Sequence, residues 1–207
     1  MRCMHYVVAW LKGEGDLRNI DLAAAAGAVG VHASVEVGDR ENGQIGIGHH
    51  HALRQGGVQQ AVLDYGGNLF VIGAHQDAQG GTRPWKVAIR DPDNTGSVFG
   101  TVQLQDAGIA TSSWYEHSFQ KNGTVYHHLL DPRTGYPMPL TLKSVSILSS
   151  RPVYTDLLST AFFILGEEEG GVLVDRLRRD SGEMIEYVAV REDGTVAASP
   201  GAAFAPA

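Results

Sequence analysis

From Ala61 to Ser149 the chain never sustains an extended apolar pattern for long before a turn former stops it. Ala61–Asp64 gives way to Tyr65-Gly66-Gly67-Asn68, and Leu69–Gly73 follows. Trp85–Arg90 alternates as a strand and halts at Asp91-Pro92, because the residue before a proline is pushed away from helix. Ser97–Leu104 and Gly108–Ser112 flank an Asp106-Ala107 turn, and Lys143–Ser149 is a further strand. Short strands separated by turns have little choice but to pair antiparallel with their neighbours. Met184–Arg191 and Thr195–Ser199 extend the pattern as a hairpin over Glu192-Asp193-Gly194.

Helices enter at three places. Ala52–Gly57 ends on Gly56-Gly57, the usual C-terminal punctuation. Val153–Leu165 is stopped by Gly166, and Glu167–Leu177 restarts with acidic residues in its first turn, where the helix dipole favours them. The fold class expected is α+β, a mainly antiparallel sheet packed with helices.

Two stretches carry chemistry. In Tyr126–Pro139, YHHLLDPRTGYPMP, a short apolar strand at Leu129 and Leu130 runs into a sharp Asp-Pro-Arg-Thr-Gly turn. His128, Asp131 and Thr134 are thereby presented at a strand end. In Val153–Leu165, Asp156 and Thr160 stand four apart and share one helix face. A carboxylate and a hydroxyl one turn apart are hard oxygens suited to Mg²⁺. The same residues also suit a plain helix start, with Thr160 bonded back to a carbonyl.

The formal net charge of -7 argues against a nucleic-acid partner. The one cysteine, Cys3, excludes an intramolecular disulfide and any CxxC site. His49-His50-His51 tempts a zinc reading, yet three adjacent side chains on a regular element cannot converge on one point. They read as a solvated helix start.

In combination, HHLLDPRTGYP, VSILSS and TDLLSTAFFILG resemble the ApbE family of FAD:protein FMN transferases. AVLDYGGNLFVIG, WKVAIRDP and GIATSSWYEHSF resemble the same family, in the same order. The resemblance runs from about Ala52 to Leu177 and implies the C-terminal two-thirds of the ApbE fold, with the amino-terminal part incomplete. It implies a transferase that passes FMN from FAD to a Thr or Ser hydroxyl of a target flavoprotein and releases AMP. The partners implied are FAD and a flavin-acceptor protein, for example a membrane redox-complex subunit. Alternatives on the same site are Mg²⁺-dependent FAD hydrolysis and a non-catalytic flavin-binding remnant.

Residue by residue, the resemblance makes Asp156 and Thr160 Mg²⁺ ligands. His128 becomes the catalytic histidine, because imidazole can activate the acceptor hydroxyl, protonate a leaving oxygen or orient the pyrophosphate. Leu130 stands where the family meets the flavin nucleotide through main chain. Further upstream, Ile20–Gly27 resembles the family's Asp-Leu-Gly segment, which makes Asp21 a flavin contact and Ala24 a main-chain Mg²⁺ ligand. Gly27 stands where the family has a lysine. The resemblance implies a family usually anchored at the cell envelope and facing outward, while no signal peptide or acylation motif is visible near Cys3. The division expected is an irregular or divergent segment 1–51, an ApbE-like domain 52–200 and a disordered tail 201–207.

Overall fold

The computed structural model describes residues 33–36, 50–51, 53–64, 66–76, 80–116, 118–122 and 124–207. Asp21 and Ala24 lie outside them. The chain divides into two compact units, residues 1–85 with 104–108, and residues 86–103 with 109–207.

In the first unit, Ala33–Glu36 (β1) pairs parallel with Ala61–Asp64 (β2), Ala33 opposite Ala61. Strand β2 pairs antiparallel with Leu69–Ile72 (β3) across Gly66 and Gly67. Both glycines have positive φ, 75° and 105°, and a Cβ on either would meet open space. The turn geometry demands them, and no crowding neighbour does. The Asp64 carboxylate accepts the Gly67 amide at 2.9 Å and fixes the bend. Helical residues 50–51 and 53–55 (α1) bury Leu53 with Ala61, Leu63, Phe70 and Ile72. The His50 ring lies against Phe70, centroids 4.7 Å apart, so His50 is a packing element while His51 is exposed. His75–Gln76 (β4) and Thr82–Arg83 (β5) close as a small antiparallel pair.

The remaining elements belong to the second unit, apart from the end residues of the first three at 85, 104 and 107–108: Trp85–Arg90 (β6), Val98–Leu104 (β7), Ala107–Ser113 (β8), Ser118–Lys121 (β9), Thr124–His127 (β10) and Leu142–Ser149 (β11). Pro152–Ser181 (α2), Ile185–Arg191 (β12), Val196–Ala198 (β13) and Ala205–Pro206 (β14) follow. Strands β8, β11, β12 and β13 lie side by side in that order. The β11–β12 pair is antiparallel, with Val145 opposite Ala189 and Ile147 opposite Tyr187. A second sheet runs β14-β7-β6.

Helix α2 opens with Pro152 in its first turn, where a missing N–H costs nothing. Its first half buries Thr155, Leu158, Ser159, Phe162 and Phe163, the spacing of one helical face. That face and Val145, Ile147, Ile185 and Ala189 form one core. At Gly166 the backbone leaves helix (φ 80°, ψ 175°), so α2 is two helices meeting at a glycine, as the sequence pattern expects. The second half returns Gly170 against the fully buried ring of Phe162. Gly182 ends it in the left-handed region, its amide bonded to the Arg178 carbonyl at 3.0 Å.

Two expectations change. The strand before the Asp-Pro turn is Thr124–His127, hydrogen-bonded to β9, while Leu130 makes only an isolated bridge to Pro137. The tail is ordered: Pro200–Ala202 forms a 3-10 turn and β14 pairs Ala205 with Thr101 on β7. Phe204 packs where Gly100 leaves room and stacks on Phe99, 6.1 Å between centroids. Among the described residues no helix is long and apolar enough to cross a membrane.

Candidate functional site

The 131–135 turn is built by its own carboxylate. Asp131 Oδ1 accepts the Arg133 amide at 2.9 Å, and the Asp131 carbonyl accepts the amides of Thr134 and Gly135 at 3.2 and 2.8 Å. Arg133 adds Nε and Nη2 to the two carboxylate oxygens, each at 3.0 Å. That guanidinium, seconded by the Arg133 amide, holds the Asp131 carboxyl below its ordinary range. Thr134 Oγ1 accepts the Tyr136 amide at 3.3 Å. Asp131 and Thr134 are therefore occupied in shaping the bend. Leu130, 45% exposed, stands at its mouth.

Alternation along the segment separates the two histidines. His127 is buried and donates Nε2–H to the Met138 carbonyl at 3.0 Å. Its ring meets Phe163 of α2 edge-on, centroids 6.0 Å apart. Leu129 joins the core that holds Leu158, Phe162 and Phe163. His128 lies between these two anchors and is exposed. Its neighbours thus tie it to the helix that carries Asp156 and Thr160.

On that helix Asp156 is exposed and Thr160 half-buried, at the margin of the packed face. Thr160 is not bonded back to its own helix. Its Oγ1 lies 3.1 Å from Ser112 Oγ on β8, and Ser112 Oγ lies 2.9 Å from Ser159 Oγ. Ser159 donates to the Asp156 carbonyl at 3.0 Å. Four residues from two elements are thus joined by hydroxyl contacts. Ser159, standing where the family often has an aspartate, offers a hydroxyl in place of that charge, while Ser112 was not singled out by motif reasoning, since a strand serine signals nothing until strand and helix are set in register.

Mg²⁺ fits this donor set. It takes hard oxygens and dehydrates reluctantly, so it is held by one or two carboxylates together with substrate phosphates. An exposed carboxylate one helical turn from a hydroxyl anchored from behind would supply the protein's share. Among the described residues no three His, Cys, Asp or Glu side chains gather as a metal cluster. Asp21 and Ala24, outside those residues, have no described place beside the others.

Next to this site β9 and β10 form a two-stranded hairpin, Phe119 opposite Tyr126. Their rings stack at 5.1 Å with planes 9° apart, and Phe119 remains 62% exposed.

The sequence profile of the ApbE family matches residues 48–185. An FAD:protein FMN transferase of Treponema pallidum is 38% identical over 122 residues, 56% of this chain and 34% of that protein. One of Rhodobacter capsulatus is 37% identical over 149 residues, 72% of this chain and 26% of the other. Among solved structures, the ApbE protein of Thermotoga maritima superposes with TM-score 0.59 and 29% identity, over 75% of this chain and 50% of that one. The apo flavinyl transferase ApbE of Pseudomonas stutzeri gives TM-score 0.55 and 27% identity, over 73% and 45%. The chain thus spans half or less of the length of each of these proteins.

Proposed function

The chain belongs to the ApbE family, and from that premise we propose that it transfers FMN from FAD to a Thr or Ser hydroxyl of a partner flavoprotein. The observation that carries the proposal is the placing of Asp156 and Thr160 one turn apart on α2, Asp156 exposed and Thr160 half-buried and held from behind by Ser112. When bound there, Mg²⁺ supplies charge neutralisation for a pyrophosphate and for the departing phosphate.

In this reading the acceptor oxygen forms a bond to the phosphorus on the FMN side of the pyrophosphate. The bond from that phosphorus to the bridging oxygen breaks, and AMP leaves with the electron pair. The acceptor's proton passes to His128, whose exposed imidazole is carried between two packed neighbours and so has a fixed stem. Asp156 and Thr160 supply hard oxygens for the cation. Leu130 offers main chain to the flavin nucleotide at the turn mouth.

The test is to mix the 207-residue chain with FAD, Mg²⁺ and a flavin-acceptor protein, then look for a fluorescent protein band and for AMP. A Mg²⁺-dependent adduct of FMN mass supports the proposal. Free FMN and AMP without adduct identify hydrolysis instead, and retained FAD without turnover identifies a flavin-binding remnant.

A further inference from the structure

Each hydroxyl has a single proton to give, and this settles the direction of the Thr160–Ser112–Ser159 contacts. Ser159 bonds the Asp156 carbonyl at 3.0 Å, and a carbonyl can only accept. The Ser159 proton is therefore used, so at the 2.9 Å contact Ser112 is the donor and Ser159 the acceptor. The Ser112 proton is then used in turn, which leaves Thr160 as donor at the 3.1 Å contact. Protons run one way: Thr160 to Ser112, Ser112 to Ser159, Ser159 to the Asp156 carbonyl. The chain starts on one proposed cation ligand and ends on the backbone of the other.

From this the structure assigns Ser112 and Ser159 as positioning residues that aim the lone pairs of Thr160 at a divalent cation. The assignment rests on the proposed Mg²⁺ role of Asp156 and Thr160. A hydroxyl ligates a cation through its oxygen lone pairs, and a proton turned toward the metal opposes binding. With its proton drawn inward by Ser112, Thr160 shows only lone pairs outward. Ser159 is 1% exposed, so water does not compete for its single donor. Ser112 comes from β8, outside the helix, so the hydroxyl direction is locked to the strand as well as to α2. Groups that orient metal ligands in this way commonly influence affinity by about 10- to 100-fold.

Removing either serine should have the same outcome by different routes. Ser112→Ala takes away the acceptor for the Thr160 proton. Ser159→Ala never touches Thr160, but it releases the Ser112 proton, which can then donate to Thr160 and turn the threonine proton outward. Ser112→Thr keeps the hydroxyl and the direction. The probe is Mn²⁺ titrated into the full chain with FAD present, followed by electron paramagnetic resonance, with thermal unfolding recorded for every variant.

The expected result is FAD-dependent Mn²⁺ binding that weakens about tenfold in both alanine variants, with near-wild-type affinity in Ser112→Thr and melting points that stay close together. Wild-type affinity in Ser112→Ala and Ser159→Ala overturns the assignment while leaving the Asp156–Thr160 site standing. Equal loss in Ser112→Thr and Ser112→Ala also overturns it, because the hydroxyl would then not be the agent. Absence of FAD-dependent Mn²⁺ binding in the unaltered chain overturns the site itself, and this assignment with it.

Discussion

Gly170→Ala tests the packing that holds the candidate helix in place. A Cβ at residue 170 would lie 2.6 Å from Phe162 Cγ and 2.8 Å from each Cδ. Carbon atoms in contact need about 3.5–4.0 Å, so ring or helix must move by about 1 Å. Phe162 has no exposed surface and its ring lies against Tyr187, centroids 4.8 Å apart, so it has no open direction to turn. Overpacking of this kind costs about 1–3 kcal/mol. The better helix propensity of alanine offsets about 1 kcal/mol. The net expectation is a loss of up to about 2 kcal/mol, or up to about 8 °C in Tm for a chain of this size, and a loss of about 1–3 kcal/mol relative to an uncrowded Gly→Ala change in the same helix. Gly171→Ala is the internal control, because there the nearest atom to a new Cβ is the Tyr187 hydroxyl at 3.8 Å, an ordinary contact. It should be neutral or slightly stabilising. Thermal unfolding followed by circular dichroism decides between them. If Gly170→Ala melts at or above the temperature of Gly171→Ala, the argument that Phe162 closes the bend over Gly170 is wrong.

Other expectations follow from single contacts. Arg191 grips Glu167 through Nε and Nη2 at 2.6 and 2.7 Å, and this hydrogen-bonded pairing lowers the carboxyl below its ordinary 4.5. A depressed carboxylate stabilises the fold above its unfolded pKa, and that contribution fades as pH falls through the folded value. Because both side chains are over a third exposed, solvent screening keeps the contribution of the pair small. The Tm gap between wild type and Glu167→Gln should be present at pH 7 and gone well below pH 4.5. Gly73→Ala should destabilise the first unit by about 2 kcal/mol or more, since φ is +63° and a Cβ would run into the Gln59 carbonyl. Hydrogen exchange at the β2–β3 amides measures it, and unchanged protection there would count against the reading.

The elements that sequence alone discloses are those with a local cause. Gly166 breaks α2 because its backbone is one a side chain resists, and the Asp131 turn closes on its own carboxylate and amides. Features set by distant partners stay hidden. PGAAFAPA looks like a loose end by composition, yet Phe204 finds the space that Gly100 leaves on a strand about a hundred residues away. The β9–β10 hairpin shows no alternation in SFQK, all four of whose residues are exposed, and its visible cross-strand contact is one stacked aromatic pair. Within the site, the Asp156–Thr160 spacing is readable because it is one helical turn. Ser112 is not, because its partners lie 47 and 48 residues further along.

In the proposed reaction Asp156 and Thr160 hold a divalent cation against the FAD pyrophosphate. The most direct measurement is AMP release from FAD by the full chain, with and without Mg²⁺, for wild type and Asp156→Ala. Release should depend on Mg²⁺ in the wild type and be absent above background in the variant, with matching circular dichroism spectra. Release by Asp156→Ala at the wild-type rate would contradict that role of Asp156.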